Sequence, residues 1–267
     1  MPAPQLLDLP PNTTHFYRYQ STRHLDWLKP VILEHKIYIP TAKELNDPRE
    51  CKPRFAKLTH AEIRRFLMES HRERNPCASL DELAKARGEI DWLLSVSSPQ
   101  DELEHMAKIL YARTENTRVF SMSKRWNNLS MWWKYADEHR GYCLEFGKVG
   151  IIFNLARPVL YDESFELDLR HHREELTFAW THCKSPDWSG EEEIRVVLPT
   201  FMEAQCPIEP AALNRILLGE RMTATDRRQI LAWAAERNPP LAVMDVRFDA
   251  PAQQLRLMPA TGCQLRF

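Results

Sequence analysis

The residues best suited to chemistry lie in the run Trp188-Ser189-Gly190-Glu191-Glu192-Glu193-Ile194-Arg195-Val196-Val197-Leu198. A turn-like Trp-Ser-Gly leads into three glutamates, and an apolar, β-branched segment follows. With the period of two of a strand, Glu191, Glu193 and Arg195 share one face, while Glu192, Ile194, Val196 and Leu198 share the other. Two carboxylates and a guanidinium beside a buried run are costly unless they are paired or line a cleft. The other reading is an edge strand whose charged start is solvated and guards the sheet edge.

Two earlier stretches each offer one companion. His15-Phe16-Tyr17-Arg18-Tyr19 reads as a short aromatic strand from which Arg18 projects between Tyr17 and Tyr19. Arg118-Val119-Phe120-Ser121-Met122-Ser123 reads as another, with Phe120 and Met122 on one face and Ser121 and Ser123 on the other. A lone charged or hydroxylated residue thus recurs on strands otherwise suited to a core. Such residues form a buried structural network, or they converge in a cleft that binds an anionic ligand bearing a hydroxyl.

Other chemistries have less behind them. Ten histidines invite a metal, but there is no His-Glu-x-x-His, no calcium loop and no Cys/His pair at zinc spacing, so no metal is expected. His171 and His172 are adjacent and diverge by about 100° on a helix, which suits a surface. Cys143 follows Gly141 on an expected strand with His139 nearby, and a small buried thiol is the ordinary reading. Gly-x-Gly-x-x-Gly, Walker A and nucleophile-elbow motifs are all missing, so a nucleotide would not be bound by those routes.

The elements that must position these residues follow from periodicity and caps. Ser21 to His35 is broadly helical, shortened by Pro30. Lys36 to Pro40 reads as a strand, and Leu45-Asn46-Asp47-Pro48 as a turn. Between about 57 and 113 the texture changes to three helices, started by Thr59-x-x-Glu62, Ser79-x-x-Glu82 and Ser98-Pro99 with Asp101-Glu102. Ile63, Phe66 and Leu67, then Leu103, Met106, Ile109 and Leu110, supply their apolar faces. Arg64, Arg65, Arg72 and Arg74 are interleaved with glutamates and read as a solvated face. Ser130 to His139 is a helix ended by a left-handed Gly141. Tyr142 to Phe146 is a strand, Pro158 to Tyr161 another, and 163–182 contains a helix. The last part reads as strand 215–218, helix 224–237 begun by Thr223-x-x-Asp226, and strands 242–247 and 254–258. Strands with helices inserted at few places make an α+β fold in a single domain spanning 1–267.

At 267 residues with 43% hydrophobic content, the chain can bury a sizeable core. A net charge of -1 argues against a broad nucleic-acid or anionic-membrane footprint. No apolar run is long enough to span a bilayer, and Met1-Pro2-Ala3-Pro4-Gln5 has neither a basic nor an apolar signal region, so neither membrane nor secretion is expected. Six scattered cysteines without Cys-x-x-Cys read as reduced thiols in a cytoplasmic protein.

The chain resembles the bacterial domain-of-unknown-function family 2971. The likeness rests on Tyr17-Arg18-Tyr19, on Asn46, Asp47 and Pro48 with Glu50, and on Phe120-Ser121. It continues through Met131, Trp132, Tyr135, Ala136, His139, Gly141, Glu145 and Phe146 to Trp188, Glu191, Glu193 and Arg195. Ile194 departs from it, since the family usually has Trp before the Arg. That resemblance carries no activity.

A second one does. Arg on a first strand, Ser on a middle strand and Glu-x-Glu on a late strand is similar to the Arg-Ser-Glu order of ADP-ribosyltransferases. It implies a mixed or antiparallel split sheet around a central cleft, with NAD as substrate. Arg18 would then hold a phosphate or ribose of NAD, and Ser121 or Ser123 would brace the nicotinamide side. Glu193 would bond the ribose hydroxyl and oppose the oxocarbenium-like charge. Glu191 would position the acceptor, a protein or nucleic acid. Tyr135, Trp132 or Tyr19 would stack on nicotinamide, with Tyr17 and Arg195 completing the cofactor side. Such an enzyme would act as a toxin or phage-defence effector. A nucleic-acid-acting protein using Arg18, Arg195, His139 and the helical insert, and a non-enzymatic sensor or interaction module, are the alternatives.

Overall fold

Six extended residues, His15–Gln20, form the strand β1, and its alternation fixes the layers. In the computed structural model, which describes residues 8–47, 49–52, 54–162, 166, 180–199 and 202–260, β1 lies inside an eight-stranded mixed sheet. The other strands among the described residues are β2 (Lys36–Tyr38), β3 (Arg118–Ser123), β4 (Tyr142–Gly147), β5 (Arg157–Pro158) and β6 (Leu160–Tyr161). They continue with β7 (Cys183–Lys184), β8 (Glu193–Leu198), β9 (Gln205–Pro207), β10 (Leu213–Leu218), β11 (Ala242–Asp249) and β12 (Gln254–Pro259). The large sheet runs β12-β11-β10-β4-β1-β3-β8-β5, and β2-β9 and β6-β7 form two small ones. Only β10 and β11 run parallel within the large sheet, joined through a helix; its other pairs are antiparallel.

One junction differs from the rest. β1 and β4 stay in register from His15↔Gly147 to Gln20↔Tyr142, and β3 and β8 from Arg118↔Leu198 to Ser123↔Glu193. β1 and β3 meet at a single register, Tyr17↔Ser123. Beyond it no further pair is registered, so this junction, the split, is the most loosely joined in one continuous sheet. The expected α+β fold with a mixed sheet is present.

Both faces are covered. Phe16, Phe120, Leu144, Phe146, Ile194, Val196 and Ile216 point to one face. They pack with α1 (Leu28–Leu33), α6 (Gly150–Asn154) and α7 (Ala224–Glu236). Tyr17, Tyr19, Cys143 and Leu217 point to the other, under α5 (Leu129–Lys134). The helical insert is α2 (His60–Arg74), α3 (Leu80–Val96) and α4 (Pro99–Thr114). Its three capping boxes, Thr59 with Glu62, Ser79 with Glu82 and Ser98 with Asp101, satisfy backbone donors that the first turn leaves free. Leu58, Ile63, Leu94 and Leu103 make its separate core, while Ile109 is exposed. No helix among the described residues is long and apolar enough to cross a membrane.

Two local expectations are corrected. The strand of the glutamate run starts at Glu193, because Pro186–Glu191 is a 3-10 helix and Glu192 is left-handed at φ 46°. After α5 the left-handed residues are Asp137, Glu138 and His139, not Gly141. Gly141 is required for room: a Cβ there would lie 2.1 Å from the Gln20 carbonyl oxygen. The expected helix with His171-His172, and also Pro48 and Cys263, lie outside the described residues.

Candidate functional site

The carboxylates of the glutamate run are placed by the turn before β8. Ser123 Oγ donates to the Glu191 carbonyl at 2.8 Å, Asn128 Nδ2 to the Gly190 carbonyl at 2.6 Å, and Lys124 N to the Glu192 carbonyl at 3.1 Å. Arg125 pairs with the Glu192 side chain. The left-handed Glu192 lets the chain swing, so Glu191 and Glu193 end on the same side although Glu191 is not in the strand. Period two grouped the right pair for the wrong reason.

Between them stands Lys184, the last residue of β7. Its Nζ is 2.8 Å from Glu50 Oε1, 2.8 Å from Glu191 Oε2 and 3.0 Å from Glu193 Oε2. Three ammonium protons therefore serve three carboxylates. Arg195 lies behind, fully buried. Its Nε donates to Glu193 Oε1 at 2.6 Å, its Nη2 to Glu50 Oε2 at 2.7 Å and its Nη1 to the Thr181 carbonyl at 2.7 Å. Tyr135 OH donates to Glu191 Oε1 at 2.7 Å. Burial disfavours the charged forms of Glu193, Lys184 and Arg195, but their mutual attraction outweighs it. Arg195 and Lys184 hold Glu193 ionised, its pKa lowered to about 2 against burial, and the Ser121 hydroxyl bonds the same carboxylate. Lys184 and Arg195 are both raised, because Glu193 and Glu50 override their desolvation.

Arg18 approaches from the opposite face of β1, through the split. Its Nη1 donates to the Ser121 carbonyl at 2.7 Å, its guanidinium carbon lies 4.4 Å from the Phe120 ring centroid, and the Gln20 amide, turned so that its oxygen faces Arg18, accepts from Nε at 2.9 Å. Burial lowers its pKa to about 10, with Glu193 acting the other way, so it remains a cation at neutral pH. Among the described residues it has no carboxylate within ion-pair distance.

A cavity of about 520 Å³ opens into the split. Of the residues expected from sequence, Arg18, Ser121, Glu191, Glu193, Tyr17, Tyr19 and Tyr135 line it together. Ser123, Trp132 and Arg195 do not. Ser123 is buried and holds the Glu191 backbone. Trp132, expected to stack on nicotinamide, is fully buried, edge-on to Tyr19 at 5.3 Å, with its indole N–H on the Trp126 carbonyl. Arg195 has its guanidinium nitrogens committed to Glu193, Glu50 and Thr181, so it positions carboxylates rather than meeting a ligand.

Sequence reasoning missed Lys184, Trp188 and Lys134 as site residues, and gave Glu50 no role. Trp188 lines the cavity with Lys134 and Lys184 ammonium groups 4.6 and 4.7 Å from its ring centroid. The only hint of Lys184 was the charge excess of the glutamates, which a fold must neutralise somewhere.

Positive groups at Arg18, Arg23 and Lys134 and a carboxylate floor at Glu191 and Glu193 thus share one aromatic-lined space. That mixture suits a ligand carrying an anionic group, hydroxyls and a flat ring. No family model matches the chain, and no curated protein and no solved structure matches it.

Proposed function

We propose that the chain is an ADP-ribosyltransferase-like enzyme that cleaves the N-glycosidic bond of NAD and passes ADP-ribose to a protein or nucleic-acid acceptor. The observation that carries the reading is the convergence of Arg18, Ser121 and Glu193 on one cavity at the junction of β1 and β3. Three residues from separate strands, the first two of them 103 positions apart, would share a cleft rarely unless the fold were built to gather them.

In this reading Arg18 holds the pyrophosphate as a fixed cation. The aromatic rings of Tyr17 and Tyr19 border the nicotinamide side. The C–N bond to nicotinamide breaks, its electron pair goes to the ring nitrogen, and the ribose carbon takes up positive charge. Glu193, kept ionised, opposes that charge, and Glu191 beside it positions the acceptor. Glu193 already receives bonds from Arg195, Lys184 and Ser121, so a ribose hydroxyl would take the place of the Ser121 hydroxyl. The acceptor attacks the ribose carbon, forming the new bond, and its proton passes to solvent water. A toxin or defence role in a bacterial cytoplasm is consistent with such an activity and is part of the proposal.

The test is release of nicotinamide from NAD by the purified chain with cell lysate as acceptor. Release should fall by about 10²–10³-fold in Glu193→Gln. Normal turnover by that variant would reject the role given to Glu193. The saturation of Glu193 favours a second reading, a module that senses the same ligand without cleaving it. That reading predicts NAD binding lost in Arg18→Ala, with no nicotinamide released by any variant.

A further inference from the structure

Among the described residues the helical insert takes no part in the cavity, and α3 presents a face that they leave uncovered. Ala86 and Leu94 are buried toward the insert, with Ile90 between them. At 100° per residue the centre of the opposite face is Gly88, with Ala84 and Trp92 one turn to either side. Trp92 is 68% exposed, and Leu80 and Val96 at the ends are 85% and 64% exposed. A Cβ on Gly88 would meet nothing within 4 Å, so no contact among the described residues calls for glycine there. Glycine inside a helix costs about 1 kcal/mol relative to alanine. Its flat surface admits a second helix at the short end of the usual spacing. Beside it lies an open, apolar hollow of about 680 Å³, bordered by Lys85, Gly88, Glu89 and Trp92.

The charges on this face choose the occupant. Lys85 and Glu89 stand on one flank of Gly88, Arg87 and Asp91 on the other. Lys85 and Glu89 have no ion-pair partner among the described residues. Arg87 lies 3.8 Å from Asp91, which also holds Arg64. A face of one sign would ask for a partner of the other sign. Here each flank carries both signs, one on each side of the centre, which makes the face complementary to itself when reversed.

We propose that α3 is a docking face for a second copy of this chain, packed antiparallel across a two-fold axis beside Gly88. In that arrangement Lys85 of each copy faces Glu89 of the other, and Arg87 of each faces Asp91 of the other, so every pair occurs twice. Trp92 of each copy enters the hollow beside the other's Gly88. A parallel copy would set Lys85 against Arg87 and Glu89 against Asp91, like against like, and is rejected.

Sedimentation equilibrium of the full chain tests this. The expected result is a dimer in reversible equilibrium with monomer, weakened at least about tenfold by Trp92→Ala. Lys85→Glu should dissociate the dimer and Glu89→Lys should do the same. The double variant K85E/E89K should restore it. These side chains are exposed, so unchanged circular dichroism is expected of each variant. A monomer at all concentrations, a dimer indifferent to Trp92→Ala and Lys85→Glu, or failure of the double variant to restore assembly would overturn the proposal. The result is independent of nicotinamide release, so the two proposals stand or fall separately.

Discussion

Arg18 Nη1 donates to the Ser121 carbonyl at 2.7 Å across the junction of β1 and β3. A side chain here bridges strands that elsewhere in the sheet are joined by backbone ladders. The same guanidinium lies on the cavity wall, so bracing the split and offering a cation are one residue's work. Arg18→Met keeps the stem over Phe120 but removes the charged donor. Stability should fall by about 1.5–3 kcal/mol, read as a lower urea midpoint at unchanged slope. Arg18→Lys keeps charge but not the fork, and should lie between the two. A midpoint for Arg18→Met equal to that of the parent would show that the split needs no brace.

Lys184 is the common partner of Glu50, Glu191 and Glu193. Lys184→Met leaves the buried Glu50 and Glu193 to Arg195 alone, and leaves Glu191 with Tyr135 and the more distant Lys134. Breaking a buried pair by removing one side costs about 3–5 kcal/mol. Lys134 offers the control, being half-exposed and 3.8 Å from Glu191 Oε1. Lys134→Met should cost no more than about 1 kcal/mol, as exposed pairs do. Equal losses in the two variants, measured by chemical denaturation, would contradict the central place given to Lys184.

The elements were largely legible because their causes are local. Capping boxes at Thr59, Ser79 and Ser98 announce the insert, and alternation announces β1, β3 and β8. Arg18, Ser121 and Glu193 were legible as polar residues on apolar strands. Their meeting at a split was implied by resemblance alone, since the single register between β1 and β3 is a tertiary fact. Lys184 was illegible. It sits on a two-residue strand paired in parallel with β6, and no periodicity survives in so short a segment. Trp132 was misassigned because an aromatic on a helix looks the same in sequence whether its ring lines a cleft or lies beneath one.

Glu193 should leave a mark on the acid side of the stability profile. Its folded pKa of about 2 lies below the ordinary 4.5. A depressed carboxylate contributes stability that is fully present above 4.5 and is lost as pH falls from there toward about 2. The contribution is on the order of 3 kcal/mol. The parent chain should therefore lose more stability over that window than Glu193→Gln does. Glu193 also stays ionised at neutral pH, so it should impose no acid limb on nicotinamide release down to about pH 5. A limb near neutrality that disappears in Glu193→Gln would show the carboxylate to be far less stabilised than its partners imply.

Gly141 lies against the end of β1 and ties the turn after α5 to the end of β10, and it tests whether the cavity depends on that corner. Its N–H donates to the Ala136 carbonyl at 2.7 Å, and its own carbonyl accepts from Gly219 at 2.9 Å. An added Cβ would lie 2.1 Å from the Gln20 oxygen and 2.9 Å from Ala136 Cα, both of them backbone atoms that cannot swing away. Gly141→Ala must therefore push Gln20, whose amide holds Arg18, or move the turn. The expected cost is about 1–3 kcal/mol, which for a chain of this size lowers the melting temperature by roughly 2–12 °C. Binding of NAD should weaken with it, because Arg18 loses its second support. Gly190 is the matched control: a Cβ there would meet nothing within 4 Å, although its carbonyl holds Asn128. Gly190→Ala should fall within about 0.5 kcal/mol of the parent. If Gly141→Ala melted with the parent and bound NAD equally well, the corner would be too compliant to govern the placement of Arg18.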